Sequence, residues 1–157
     1  MALSREDMKR TYPLPTYNYR VEIGGTAVGF SKASGLDISY ETATYKESPT
    51  EPGKVGPLVM HMPAQRGSTT VTLERGLCAS EGMMDLYDWL SQTQVNLTEK
   101  RDIFVRLLDE AGKAIVSWKV LNAFPTKLTA PSFSADGNEV AIESMELMAD
   151  AVFIEKA

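Results

Sequence analysis

Alternation of hydrophobic and polar residues predicts a chain built mainly of β-strands. From Tyr17 to Ile23 every second residue is apolar or aromatic, as in a strand with one buried face. Gly24-Gly25 follows as a two-residue turn signal, so Thr26 to Phe30 is expected to return as the second strand of a hairpin. A third strand is predicted from Leu36 to Thr44, where the same alternation resumes.

Residues 46–66 interrupt this pattern with a high density of proline and glycine. Such breakers exclude a helix or a central strand. The segment also carries apolar side chains that a solvated loop does not need: Val55, Leu58, Val59, Met60 and Met62. We therefore predict an extended loop that leaves its own domain and packs on a neighbouring subunit. A solvated insertion is the alternative.

One amphipathic helix is predicted after a strand at Thr69 to Leu73. Ser80 is a suitable N-cap, and the helix is expected to run to about Gln94. Its apolar stripe has the i, i+3, i+4, i+7 spacing of a helix that packs on a sheet, with Asp85 and Asp88 outward. The stripe consists of Met83, Leu86, Tyr87 and Leu90.

The remaining strands form a hairpin and a corner. Ile103 to Leu108 and Ala114 to Ala123 are predicted strands, and Phe124-Pro125 is expected to end their pairing. A last strand is predicted after the 136–138 turn, with a bulge near Ser144. The sum is an antiparallel β-sandwich or partly open barrel with one flanking helix. Residues 1–16 are an N-terminal arm, and residues 17–157 form a single domain.

The charge distribution excludes a DNA-binding protein that uses a basic face. The net charge of the 157 residues is −5, whereas phosphate neutralisation needs clustered Lys and Arg. Residues 128–155 contain six acids and no Lys or Arg, which indicates a negative surface or simply a solvated one. The single cysteine excludes an internal disulfide, and because residues 1–16 contain no apolar run we expect no signal peptide.

No residue pattern points to catalysis, a cofactor or a metal. The chain has no nucleotide-binding glycine motif, no HExxH, no GxSxG and no CxxC. His61 is the only histidine and has no metal-ligand spacing around it. We expect no enzyme, no cofactor and no specific nucleic-acid binding.

Several short segments, taken in order, resemble the inner-tube proteins of contractile injection systems, which are kin to contractile phage tail tubes. The extracellular antifeeding-prophage-like and virulence-cassette-like particles are the most similar type. The segments are Tyr12-Pro13-Leu14-Pro15, Gly35-Leu36-Asp37, Thr72-Leu73-Glu74-Arg75-Gly76, Asp85-Leu86-Tyr87-Asp88-Trp89-Leu90, Arg101-Asp102-Ile103, Trp118-Lys119-Val120-Leu121-Asn122-Ala123-Phe124-Pro125 and Gly137-Asn138-Glu139-Val140-Ala141-Ile142-Glu143.

The resemblance implies hexameric rings that stack into a hollow tube, which sheath contraction drives through a target envelope. Haemolysin-coregulated (Hcp-like) subunits of type VI systems share this fold. The implied partners are further copies of the chain, sheath subunits, spike and baseplate proteins, tube-terminating proteins and protein cargo in the lumen. The resemblance implies that such particles assemble in the cytoplasm and leave it as particles, which fits our expectation that the chain has no signal peptide.

Three sets of residues follow as expectations. Ring stacking is assigned to Tyr12, Pro13, Val55, Leu58, Val59 and Met60. Glu139 and Glu143 are expected to face the lumen or its rim. Met83, Leu86, Tyr87 and Leu90 are expected to pack the helix on the barrel. Two alternatives stay open: a phage tail tube that conducts DNA, and a free ring-forming β-sandwich that binds or carries a ligand.

Overall fold

A computed structural model describes residues 2–94 and 97–156 of the chain. Within them the fold is mainly β and antiparallel, as the sequence predicts, and the sheet is not closed into a barrel. The elements are α1 (Arg5–Thr11), β1 (Tyr19–Ile23), β2 (Thr26–Val28), β3 (Lys32–Ser34), β4 (Tyr40–Glu47), β5 (Leu58–Arg66), β6 (Thr69–Gly76), a 3-10 turn (Glu81–Met84), α2 (Asp85–Ser91), β7 (Arg101–Leu108), β8 (Ala114–Thr129), β9 (Ile142–Ala149) and β10 (Ala151–Lys156).

Strand β8 belongs to two sheet layers at once. Its first half pairs with β7 and β10 and completes sheet A, in the order β2-β1-β7-β8-β10. Its second half pairs with β9 and completes sheet B, in the order β8-β9-β6-β3. Since β10 follows β9 directly, β8 and β9–β10 form one long antiparallel hairpin that bends as it passes between the sheets.

The bend lies at Asn122, two residues before the Phe124-Pro125 corner that the sequence predicts. Asn122 has a left-handed φ of 52°, which asparagine tolerates better than most residues. Its backbone N–H donates to Asp102 Oδ1 at 3.0 Å, and its side-chain Nδ2 donates to Asp150 Oδ2 at 3.0 Å. The two aspartates therefore hold the strand in its bent path.

Pro125 does not end the strand, contrary to the prediction. It is buried and lies opposite Leu147 of β9, with a register irregularity directly after it. The last pair between β7 and β8 is Arg101 with Ala123, so β8 has only one strand neighbour at Pro125. A proline is tolerated there because an edge position needs no second row of hydrogen bonds.

The core lies between the inner faces of the two sheets. Sheet A contributes a buried row at Val21, Ile103, Val105 and Val120. Sheet B contributes Val71, Leu73, Met145 and Leu147. These apolar faces meet because neither sheet can bury its side chains alone. No bulge interrupts β9 at Ser144, where the register with β6 is continuous, so that expectation is wrong.

Helix α2 packs on this core through a different stripe from the predicted one. Leu86 and Trp89 are buried, and Leu90 packs against the core as a partly buried residue. Tyr87 is 52% exposed and Met83 is exposed as well, so these two residues do not pack the helix in the isolated subunit. Trp89 packs in the core instead. Its indole N–H is satisfied there, since it donates to the Glu99 carbonyl oxygen at 2.8 Å.

The N-terminal arm contains a short helix that the sequence reading missed. Ser4 caps α1 by accepting from the backbone N–H of Asp7 at 3.1 Å, so Ser4 and Asp7 carried a capping signal. Lys9 forms an ion pair with Glu110 in the turn between β7 and β8. The pair's hydrogen bond raises the pKa of Lys9 and lowers that of Glu110.

Residues 46–66 are not an extended loop. Strands β4 and β5 form a two-stranded antiparallel ribbon, which turns back at residues 48–57. Prolines are tolerated because both strands of a two-stranded ribbon are edges, where a missing N–H donor removes little pairing. The ribbon is exposed along almost its entire length.

Candidate functional site: assembly surfaces

The register of the β4–β5 ribbon separates its side chains into two faces. Opposite residues of an antiparallel pair point to the same side. Tyr45 lies opposite Met60, and Ala43 opposite Met62, which gives a mostly apolar face that Leu58 extends. The other face carries Thr44 opposite His61 and Lys46 opposite Val59. The ribbon is therefore amphipathic, and its apolar face has no cover within the described subunit.

A cation–aromatic cluster holds the root of the ribbon against sheet A. The Arg66 guanidinium lies 5.5 Å from the ring centroid of Tyr40 and 5.3 Å from that of Phe153 in β10. Arg66 Nη2 also donates to the Tyr40 hydroxyl at 3.2 Å. Sequence reasoning missed this cluster, since Phe153 is distant in sequence from both other residues.

The residues predicted for ring stacking fall into separate places. Leu58 and Met60 share the apolar face of the ribbon, Val59 lies on the opposite face, and Val55 is 94% exposed at the tip. Tyr12 and Pro13 line a cleft with Ile115 near the turn that Lys9 contacts. Tyr45 was not predicted, and Met62 was named among the apolar residues of this segment but not in the ring-stacking set; their alternation with neighbours carried the signal.

The two acids predicted for the lumen have different environments. Glu143 is only 8% exposed, and its Oε1 lies 2.5 Å from Arg75 Nε. It points to the core side of sheet B with Met145 and Leu147, which argues against the predicted position at a lumen or its rim. Glu139 lies in the exposed 130–141 segment, and its assignment stays a prediction.

Opposite its core side, sheet B presents a mainly hydrophilic outer face, with Ile142 and Met148 exposed toward the two ends of β9. Lys32 of β3 lies opposite Glu74 of β6, and Lys127 of β8 lies opposite Glu146 of β9. Serine and threonine fill the positions between these charges: Ser34, Thr72, Ser144 and Thr129. The two cations and two carboxylates balance across this face.

Sheet A has an outer face of different chemistry. Glu22, Phe104, Lys119 and Phe153 form one cross-strand row. Arg20, Arg106, Ser117 and Glu155 form the next row. Glu22 Oε2 accepts from Arg106 Nε at 3.1 Å, and Glu22 Oε1 forms an ion pair with Arg20 Nε, also at 3.1 Å, so one carboxylate serves two guanidinium groups.

The described residues hold no arrangement of side chains that points to catalysis or metal binding. Across residues 2–94 and 97–156, no group of three or more His, Cys, Asp or Glu side chains is placed to hold a metal ion. His61 Nδ1 lies 3.2 Å from Thr44 Oγ1 on the ribbon, and Cys78 is exposed. Among the same residues there is no helix with the length and apolarity to cross a membrane.

Comparison with protein families gives one match. Residues 15–152 match the family described as T4-like virus tail tube protein gp19. The chain belongs to this family. A comparison with curated protein sequences finds no match.

Three solved structures that contain similar chains are of the extracellular contractile injection system PVC and the anti-feeding prophage. The sheath-tube complex of the extracellular system PVC, in its extended state, contains a chain 37% identical, with a TM-score of 0.88 over 99% of this chain and 100% of that one. The tube-terminating cap of the anti-feeding prophage (AFP) contains a chain 42% identical, with a TM-score of 0.84 over 94% and 93%. The PVC sheath/tube terminator contains a chain 39% identical, with a TM-score of 0.81 over 92% and 97%.

This chain is therefore a tail tube protein of the contractile injection type, a structural tube subunit and not an enzyme. The resemblance predicted from the ordered segments is confirmed. Function accordingly resides in surfaces that join subunits, and the amphipathic ribbon and the two outer sheet faces are the candidates.

Proposed function

We propose that this tail tube protein forms six-membered rings that stack into a hollow tube, and that the β4–β5 ribbon makes a contact between subunits. The ribbon carries the proposal. A two-stranded hairpin is marginally stable alone, yet this one presents Tyr45, Leu58, Met60 and Met62 to solvent. An apolar face of this kind on a protruding element marks an interaction site.

Edge strands support closure into a ring. Strands β2 and β10 are the edges of sheet A, and β3 is an edge of sheet B. Edges that stay unpaired invite uncontrolled association, and pairing them with neighbouring copies removes that hazard. A closed ring with subunit-to-subunit sheet contacts meets this need.

The outer face of sheet B is our candidate for the lumen wall, with Glu139 at its rim. Its charges are paired across strands, as with Lys127 and Glu146, and hydroxyl side chains separate them. A mainly polar surface with balanced charge gives cargo few places to adhere. Glu143 has no part in this surface because Arg75 holds it on the core side.

The relatives suggest the remaining partners. Their structures are a PVC sheath-tube complex, a PVC sheath/tube terminator and an AFP tube terminating cap. We infer that the tube of this chain is enclosed by sheath subunits, ends on terminator, baseplate and spike proteins, and carries protein cargo. The resulting particle is assembled in the cytoplasm and acts outside the cell.

Electron microscopy of the purified protein tests this proposal. We expect negatively stained rings or tubes of constant diameter. A variant with residues 43–62 replaced by a short Gly-Ser turn should fold, as judged by circular dichroism and thermal melting, and should form no tubes. Tubes of normal length from that variant would refute the role of the ribbon. A stable monomer from the unaltered chain under all assembly conditions would refute the tube itself.

A further inference from the structure

We propose that the outer face of sheet A is the surface that docks the sheath, and that the sheath presents a carboxylate-rich segment to it. The proposal rests on the proposed function, since it needs an enclosing sheath. The surface comprises Arg20, Arg66, Phe104, Arg106, Lys119 and Phe153, and is called the cationic face below.

Aromatic rings hold the cations of this face in place. Arg106 lies 4.6 Å and Lys119 lies 5.8 Å from the ring centroid of Phe104. Arg66 lies over Phe153 in the same row. Arg106 Nη1 also donates to Ser117 Oγ at 3.1 Å, which fixes the guanidinium further. Cations ordered in this way lose less conformational entropy when they bind an anion.

The cationic face carries more positively charged side chains than carboxylates. The two outer rows and Arg66 hold four cations and two carboxylates: Arg20 and Arg106 share Glu22, and Glu155 lies opposite Ser117 in the second row. Lys119 is half-buried, and neither it nor Arg66 forms an ion pair with any carboxylate of residues 2–94 and 97–156. This excess stands out in a chain whose net charge is −5. Carboxylates from a partner would neutralise these charges, and each arginine could bind one carboxylate through two parallel hydrogen bonds.

The contrast with sheet B fixes the direction in which the partner lies. On sheet B each lysine has an acid directly opposite, as with Lys32 and Glu74. The inner faces of both sheets form the core, so their outer faces point away from each other. If the balanced face of sheet B lines the lumen, the cationic face is directed away from it, toward the enclosing sheath.

A contact made of exposed charges also suits a sheath that has to move relative to the tube. Surface ion pairs are individually weak and are screened by salt. Many such pairs together can hold the sheath in register with the tube, and each pair still breaks readily when the sheath moves. An apolar contact of the same area would not weaken with ionic strength. The proposal therefore predicts salt-dependent attachment of the sheath.

Charge reversal on the two faces tests the proposal. Arg20→Glu/Lys119→Glu alters the cationic face, and Lys32→Glu/Lys127→Glu makes the same change of charge on sheet B as the matched control. Each variant is assembled alone, which tests the proposed tube, and is then substituted into the complete particle. Negative-stain images give the fraction of tubes that carry an extended sheath.

We expect Arg20→Glu/Lys119→Glu to form tubes of normal diameter and to reduce the sheathed fraction at least about tenfold, because every subunit along the tube loses the contact. Sheath retention by unaltered particles should fall as salt rises, whereas the control variant should keep its sheath. Normal sheathing of Arg20→Glu/Lys119→Glu, or an equal loss in the control, would overturn the proposal.

Two other outcomes would also overturn it. If Arg20→Gln/Lys119→Gln, the milder pair, folds but forms no tubes, the cationic face is a contact between tube subunits. If fluorescence anisotropy shows that tubes bind single-stranded DNA through this face while sheathing stays normal, its ligand is nucleic acid. Failure of the unaltered chain to form tubes would instead count against the proposed function.

Discussion

Arg75 and Glu143 form an ion pair inside the subunit, with Arg75 Nε 2.5 Å from Glu143 Oε1. The same guanidinium donates to the carbonyl oxygens of Gly82 and Met83, at 3.2 and 2.9 Å. Arg75 lies in β6, Glu143 in β9, and the two carbonyls in the turn that leads into α2. One arginine thus joins two strands of sheet B to the start of the helix.

Removing either partner of this pair should destabilise the subunit. Glu143→Ala or Arg75→Met leaves a nearly buried charge without its partner, which typically costs about 3–5 kcal/mol. Urea unfolding followed by circular dichroism measures the loss. The double variant Arg75→Met/Glu143→Met should lose less than the sum of the single changes, because no charge remains unpaired. Additive losses would show that the two residues do not interact.

The exposed pair of Lys9 and Glu110 is the control, and Lys9→Met should not change stability measurably.

Trp89 should contribute far more to stability than its neighbour Tyr87. Trp89 is 2% exposed and donates to the Glu99 carbonyl oxygen, while Arg101 lies 4.7 Å above its ring. Trp89→Ala is expected to cost about 3–5 kcal/mol through the cavity it leaves. Trp89→Phe should cost about 1–3 kcal/mol, since the carbonyl loses its donor. Tyr87→Ala should stay within about 0.5 kcal/mol in the isolated subunit. A larger loss of stability for Tyr87→Ala than for Trp89→Ala would mean that Tyr87 packs the helix, as the sequence predicted.

The sequence predicted those elements whose pattern is local. Alternation identified β1 and β6, and turn residues identified the hairpin between β7 and β8. In β9 the alternation placed Glu143 with Met145 and Leu147, which indicated a buried position. Burial of a glutamate is unfavourable without a partner, so a bulge was the simpler interpretation. Arg75 lies 68 residues away, and its position beside Glu143 depends on the pairing of β6 with β9.

The ribbon shows a second limit of sequence reasoning. Proline density argued against strands, yet Pro63 sits in β5 opposite Thr42. A strand that pairs on one side only can accept a proline, and nothing local indicates how many neighbours a strand has. The division of the ribbon into an apolar and a polar face likewise depends on register, which follows from pairing and not from composition.

Asp109 should make the stability of the turn between β7 and β8 depend on pH. The backbone N–H groups of Lys113 and Ala111 donate to Asp109 Oδ1, each at 2.9 Å, and the bond from Lys113 is the main reason that the pKa of Asp109 lies below its ordinary value of 3.8. A lowered pKa means that the carboxylate stabilises the fold above pH 3.8 and that this contribution is lost as the pH falls through the lower, folded value.

Asp109→Ala should accordingly lower the melting temperature at pH 7, and the difference from the unaltered chain should shrink below about pH 4. Thermal melts at a series of pH values measure it. Asn138→Ala, a change of an uncharged residue in the exposed 130–141 segment, is the control and should give a difference that does not vary in this way. A deficit for Asp109→Ala that is equal at pH 7 and pH 3 would mean that its carboxylate charge does not stabilise the turn.

The two faces of the ribbon should differ in their importance for assembly. Leu58→Ser/Met60→Ser alters the apolar face, whereas Val59→Ser/His61→Ser alters the opposite face of the same strand. Both pairs are exposed in the subunit, so neither change should shift the melting temperature of the unassembled protein. If the apolar face packs on a neighbouring subunit, the first variant buries less apolar surface at every contact, and the critical concentration for tube formation should rise about tenfold or more. Sedimentation of tubes over a concentration series measures this value. Equal effects of the two variants would mean that the ribbon inserts between partners on both sides, and a larger effect of Val59→Ser/His61→Ser would reverse the assignment of the faces.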